Sequence, residues 1–353
     1  MKNILLLVFV LCYSFCSAQM GDPDVRPDRQ RYAEIGNFKL ESGDTIQNCR
    51  IGYRTYGKLN KGKSNGVLVP TWFGGTSKDI ERFAPPWQVI DTTHYFLIIV
   101  DAFGDGVSSS PSNSVSQHGS KFPQFSIRDM VVGQHEMLVK KMGVKHLYAI
   151  MGISMGGFQT FQWAVSYPSF TERVIPIASS PQPTSYDLMG YNIFRKIIES
   201  DTTFKNGDYK KNPVIAAASM LLEFASTTPD HKVRTMSRDS FAVWQQLVDT
   251  SAAPDWNNTY YQLNAIIGYD IARDYNNSLK EAAAHIRARM LIIVSRQDHM
   301  VNPIPAMAFA KMLPAKLIML NNELGHEAAD FENEEMQKNI RMMLADRPDL
   351  VDN

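Results

Sequence analysis

Short apolar runs alternate along most of this chain with stretches whose apolar residues recur at helical spacing. The runs are Val67 to Val69, Tyr95 to Val100, Leu147 to Met151, Val174 to Ile177, Met290 to Val294 and Leu317 to Leu320. They are rich in β-branched residues, so they predict strands buried on both faces: a mostly parallel sheet with helices packed on each side. Ile127 to Met142 illustrates the intervening pattern. Ile127, Met130, Val131, Met137 and Leu138 fall on one helical face, and Ser126 stands where a cap belongs. The stretch from Ile35 to Tyr56 alternates apolar and polar residues and predicts an antiparallel edge.

From about Pro181 to Ala284 the strand pattern gives way to helical and loop-like segments rich in Met, Tyr and Asn. This reads as a helical cap inserted over the carboxyl edge of the sheet. The expected organisation is a core at 30–180, a cap at 181–284 and the rest of the core at 285–350. With no internal repeat and no low-complexity linker, this is one domain with a cap.

The first residues change the picture of compartment. Lys2 precedes an apolar run from Ile4 to Cys12, and Ser17-Ala18-Gln19 follows, the form of a secretory signal peptide cleaved after Ala18. The mature protein is then expected in the periplasm or outside the cell, without a membrane span, because no later apolar run is long enough. Cleavage removes Cys12 and Cys16 and leaves Cys49 as the sole cysteine, so no intramolecular disulfide can form. Roughly 330 residues bury enough apolar surface to fold without one. Lys+Arg and Asp+Glu balance at 36 each, and no basic run or acidic tail stands out, which argues against nucleic-acid partners.

Candidate chemistry centres on Gly152-Ile153-Ser154-Met155-Gly156. An apolar strand runs into this G-x-S-x-G and a helical pattern leaves it, the context of a nucleophile elbow in an α/β-hydrolase fold. A serine hydroxyl is a poor nucleophile until a base takes its proton and a third group fixes the tautomer of that base. In this fold the order is serine, acid, histidine. The strand Met290 to Val294 leads to Asp298, and Leu317 to Leu320 leads through Gly325 to His326. Two backbone N–H groups must face the oxyanion of the intermediate. Met155, after the nucleophile, supplies one, and Phe73, in the glycine-containing loop after Val67 to Val69, is expected to supply the other. His135-Glu136 lacks a second histidine at zinc-binding spacing, so no metal site is read.

Several strings resemble the homoserine O-acetyltransferase family of α/β-hydrolases. These are Tyr53-Arg54-Thr55-Tyr56-Gly57-Lys58-Leu59-Asn60, Ser126-Ile127-Arg128-Asp129-Met130-Val131 with Gln134, Tyr261-Gln262-Leu263, and Ser278-Leu279-Lys280-Glu281-Ala282. The resemblance implies catalytic roles for the same Ser154, Asp298 and His326. It also implies that Arg195 holds a substrate carboxylate, a task suited to the guanidinium fork. Glu327 stands where the family places an aspartate that receives the substrate amino group, and is expected to bind substrate too.

The expected function is therefore an exported serine hydrolase acting on a small-molecule ester. The alternatives are O-acyl transfer to a hydroxyl and a catalytically silent binding protein on the same fold. No cofactor is expected, and acyl-CoA enters only as co-substrate of a transferase. A homodimer is left open.

Overall fold

The computed structural model describes residues 29–81, 89–251, 254–329 and 333–345. The expected signal peptide, 1–18, lies outside them. Eight strands form one sheet in the order β1-β2-β4-β3-β5-β6-β7-β8. They are β1 (Arg31–Lys39), β2 (Thr45–Tyr56), β3 (Gly66–Pro70), β4 (Phe96–Val100), β5 (Leu147–Ile153), β6 (Thr171–Ile177), β7 (Arg289–Ser295) and β8 (Ala315–Leu320). β1 and β2 form an antiparallel edge, and every pairing from β4 to β8 is parallel.

Strand residues alternate between two buried faces, as the continuous apolar runs require. Leu68, Ile98, Ile150, Val174 and Ile292 join the core with α1 (Ile127–Glu136) and α2 (Met155–Ser166). Val67, Ile99, Met151, Ile175 and Ile293 pack on the other face with α10 (Glu334–Ala345). Each such side chain, fully removed from water, contributes about 1.5–3 kcal/mol.

Ser126 caps α1 through a reciprocal pair with Asp129, Ser126 Oγ accepting from Asp129 N–H while the carboxylate accepts from Ser126 N–H. The single helix predicted over 127–142 instead widens into a π-helical segment at Met137–Met142, closed by the left-handed Gly143.

Between β6 and β7 the chain leaves the sheet for six helices: α3 (Ser185–Ser200), α4 (Ala216–Ser226), α5 (Pro229–Thr235), α6 (Arg238–Thr250), α7 (Trp256–Ile267) and α8 (Leu279–His285). α9 (Ile304–Phe309) follows β7. Phe194, Ile198, Phe204, Ile215, Trp256 and Leu263 give these helices a small core of their own.

Chain direction across the sheet reverses where β3 lies between β4 and β5. Crevices outside the carboxyl ends of strands at such a switch point are where parallel α/β sheets bind ligands. The turns leaving β3 and β5 therefore face one space.

Candidate active site

Ser154 follows β5 with φ 57° and ψ −123°, a conformation side chains with a Cβ rarely adopt. The surrounding structure holds it there. Ser154 N–H donates to the Ile177 carbonyl at 2.9 Å, and the Ser154 carbonyl accepts from Gly157 and Phe158 N–H as the helix begins. A Cβ on Gly156 would stand 2.5 Å from the Pro70 carbonyl oxygen, so the elbow can press against β3 only as glycine.

His326 Nε2 lies 2.9 Å from Ser154 Oγ, and its Nδ1 lies 2.7 Å from Asp298 Oδ2. The other oxygen, Asp298 Oδ1, accepts from Met300 and Val301 N–H at 2.9 and 2.8 Å. With both oxygens engaged and the side chain 1% exposed, the carboxylate has one orientation. That orientation places the proton on Nδ1 and leaves the Nε2 lone pair toward serine. Burial draws the His326 pKa down, but the Asp298 charge, its hydrogen bond and the Glu327 charge outweigh burial and hold it above the usual imidazole value.

Both expected oxyanion donors sit at this place. Met155 opens α2, where the first N–H groups have no partner within the helix. Phe73 and Ser154 line the same cavity. Around Phe73, the N–H groups of Thr71, Gly74 and Gly75 all have acceptors, whereas Phe73 N–H has none among the described residues.

The cavity is about 100 Å³, walled by Phe73, Tyr191, Phe194, Leu222, Leu263 and Met300 among others. A wider surface groove of about 600 Å³ adjoins it, sharing Tyr186 and His299 and reaching Arg296 and Asp230. Asp187 also lines the cavity, but its carboxylate is taken, Oδ1 by Asn302 N–H and Oδ2 by Thr184 N–H and Oγ.

Two residues expected to bind substrate lie outside this cavity. Arg195 does not line the cavity; its guanidinium donates to Asn192 Oδ1 at 2.6 Å and sits 3.7 Å from Glu199. Asp187, Gly190, Tyr191 and Phe194 of α3 line the cavity, while the Arg195 side chain runs along the helix toward Asn192 and Glu199. Glu327 is exposed and lines neither space, so it reaches His326 through its charge. Cys49 is fully buried, and desolvation pushes its thiol up to about 12, so it presents no thiolate.

Sequence reading missed what braces the site. Tyr191 Oη donates to the Met300 carbonyl at 2.8 Å, tying α3 to the acid loop. Thr228 Oγ donates to the Glu323 carbonyl at 2.6 Å, tying the turn before α5 to the histidine loop. Asp187 was open to recognition, since Thr184-x-x-Asp187 is a capping box, and the structure shows both halves of it. Among the described residues, no cluster of three His, Cys, Asp or Glu could hold a metal ion, and no helix is long and apolar enough to cross a membrane.

The fold, with its elbow after β5, defines an α/β-hydrolase. Residues 67–332 match the family model described as alpha/beta hydrolase fold. The chain is 31% identical over 293 residues to an ethyl acetate hydrolase of Pseudomonas veronii, covering 79% of this chain and 84% of that protein. It is 28% identical to a homoserine O-acetyltransferase of Geotalea daltonii, over 87% of this chain and 95% of the relative. A probable esterase of Corynebacterium glutamicum is 36% identical over 206 residues, but that match spans 58% of this chain and only 57% of the relative. Among solved structures, an acetylester hydrolase from Corynebacterium glutamicum superposes with a TM-score of 0.82 at 26% identity, covering 90% of this chain and 96% of that one. The chain belongs to the α/β-hydrolase family, in its homoserine O-acetyltransferase-like type, and is a hydrolase or O-acyltransferase.

Proposed function

We propose that this protein is an exported esterase that cleaves short-chain esters through an acyl-Ser154 intermediate. The observation that carries the reading is the cavity beside Ser154: about 100 Å³, walled by apolar side chains. An apolar cavity of about 150 Å³ takes up benzene, so this space suits an acyl group of a few carbons. Arg195 and Glu327, the groups that would hold an amino-acid acceptor, lie outside it. Hydrolysis needs no such acceptor.

In this reading His326 Nε2 takes the Ser154 proton as Oγ attacks the ester carbonyl. The Phe73 and Met155 N–H groups stabilise the oxyanion where charge develops. Collapse expels the alcohol, which takes the proton from His326. Water, deprotonated by the same nitrogen, then attacks acyl-Ser154 and releases the acid. Asp298 holds the tautomer throughout.

O-acyl transfer is the second reading, favoured by the relative named as an acetyltransferase. A panel of p-nitrophenyl esters, assayed with and without acetyl-CoA and amino-alcohol acceptors, separates the two. Hydrolysis peaking at acetate to butyrate and indifferent to acceptors supports the esterase; acceptor-dependent product shifts the assignment to transfer. A fluorophosphonate probe that leaves Ser154 unlabelled would point to a silent binding protein. Export rests on the first 18 residues as sequence, and an intact mass beginning at Gln19 is its check.

A further inference from the structure

Gln262 lies in the middle of α7, among Tyr261, Leu263 and Ile266, and is fully buried. Packing alone would be served by methionine or leucine at such a position, since a buried amide is costly unless both ends are bonded. Both ends are bonded, to two different loops. Oε1 accepts from Gly74 N–H at 2.8 Å, and Nε2 donates to the Phe103 carbonyl at 2.9 Å. One side chain from the cap thus joins the turn after β3 to the loop after β4.

That turn carries Phe73. Gly75 N–H donates to the Trp72 carbonyl at 3.1 Å, which fixes the plane of the Trp72–Phe73 peptide and with it the direction of Phe73 N–H. Before the turn, Gln159 Nε2 holds the Thr71 carbonyl at 3.0 Å. Beyond Phe73, Gln262 holds Gly74, whose φ of +70° leaves the backbone soft. Anchored on both sides, the turn commits its neighbouring donors and leaves Phe73 N–H open.

We infer that Gln262 is a positioning residue for the oxyanion hole, through which the cap orients the Phe73 donor; the inference rests on the acyl-Ser154 reading. Its contribution is made in the tetrahedral transition state and not in ground-state binding.

The test uses Gln262→Met, of similar volume without either hydrogen bond, and Gln262→Asn, which keeps the amide but is too short to span both loops. Deleting an oxyanion donor costs about 10²–10³ in kcat, so misaligning one is expected to cost about 10- to 100-fold. The loss should fall in kcat with KM little changed. Affinity for a boronic acid that mimics the tetrahedral state should fall by the same factor, while affinity for a ground-state amide analogue holds. Gln262→Glu should recover most of the rate, because a buried carboxyl stays protonated and then both accepts and donates. If the methionine variant fails to fold, the asparagine variant answers alone. Unchanged kcat in a folded variant, or equal weakening of both analogues, overturns the positioning role. Ser154→Ala run in parallel separates the two ideas. Retained turnover there overturns the acyl-serine reading and this inference with it; an inactive Ser154→Ala beside an unaffected Gln262→Met overturns only the inference.

Discussion

The sheet and the cap meet at one cavity but are held in place by different means. On the sheet side, Ser154, Asp298 and His326 stand on turns that follow strands; backbone N–H and C=O groups fix Ser154 and Asp298, and the Asp298 carboxylate fixes His326. On the cap side, α3 and α7 are locked to the catalytic loops through Tyr191, Asp187 and Gln262. α5 and α6 contain no buried residue at all, and Phe224, Val233 and Phe241 are exposed. Yet α4, next to them, contributes Leu221 and Leu222 to the cavity wall. The Ser154, Asp298 and His326 triad rests on strand ends, whereas the cavity wall rests partly on helices with little to hold them.

This contrast can be broken or sharpened by mutation. The largest effect belongs to the sheet side: Ser154→Ala should lower kcat/KM by about 10⁴-fold or more, and Asp298→Asn by about 10³–10⁴-fold through the wrong histidine tautomer. Unchanged circular dichroism should accompany both losses. On the cap side, Leu222→Ala enlarges the cavity and should raise the butyrate-to-acetate ratio of kcat/KM by about 10-fold, the worth of a methylene or two in an apolar pocket. An unchanged ratio would show that α4 does not measure the acyl group.

The next effect is a shift and not a loss. Turnover needs neutral His326, whose pKa is held above the usual imidazole value, so the acid limb of the kcat/KM profile should lie above pH 6.5. Glu327 adds to that elevation, so Glu327→Gln should move the limb to lower pH with the plateau unchanged. A limb that stays put would mean Glu327 is too screened to act. The smallest effect is expected at Phe241→Ser on α6: stability within about 0.5 kcal/mol, measured by urea unfolding, and unchanged kcat. A larger loss of stability would show that the Phe241–Trp244 ring pair, 5.6 Å between centroids, holds α6 in place.

The structure brings Ser154, Asp298 and His326 within hydrogen-bond reach, and their meeting was legible because each follows an apolar run that ends abruptly at a turn, and a strand end is a place as well as a pattern. Arg195 was matched by resemblance, which carries over the residue type but not its surroundings; here the guanidinium donates to Asn192 Oδ1 on α3 itself, outside the cavity. Glu327 was also legible as a charge beside the histidine, but not as an exposed one that acts at a distance.

By itself the sequence determined the layered sheet, the elbow and the order of the three catalytic candidates, because period, β-branching and glycine spacing are local properties that the chain writes in order. Tertiary structure alone decided the apolar character of the cavity and its size. It also decided that Phe73 N–H is left open while its neighbours are bonded, and that Gln262 reaches Gly74 from 188 residues away. Those depend on which side chains from distant segments arrive at the same point, and no pattern within one segment records where another will be.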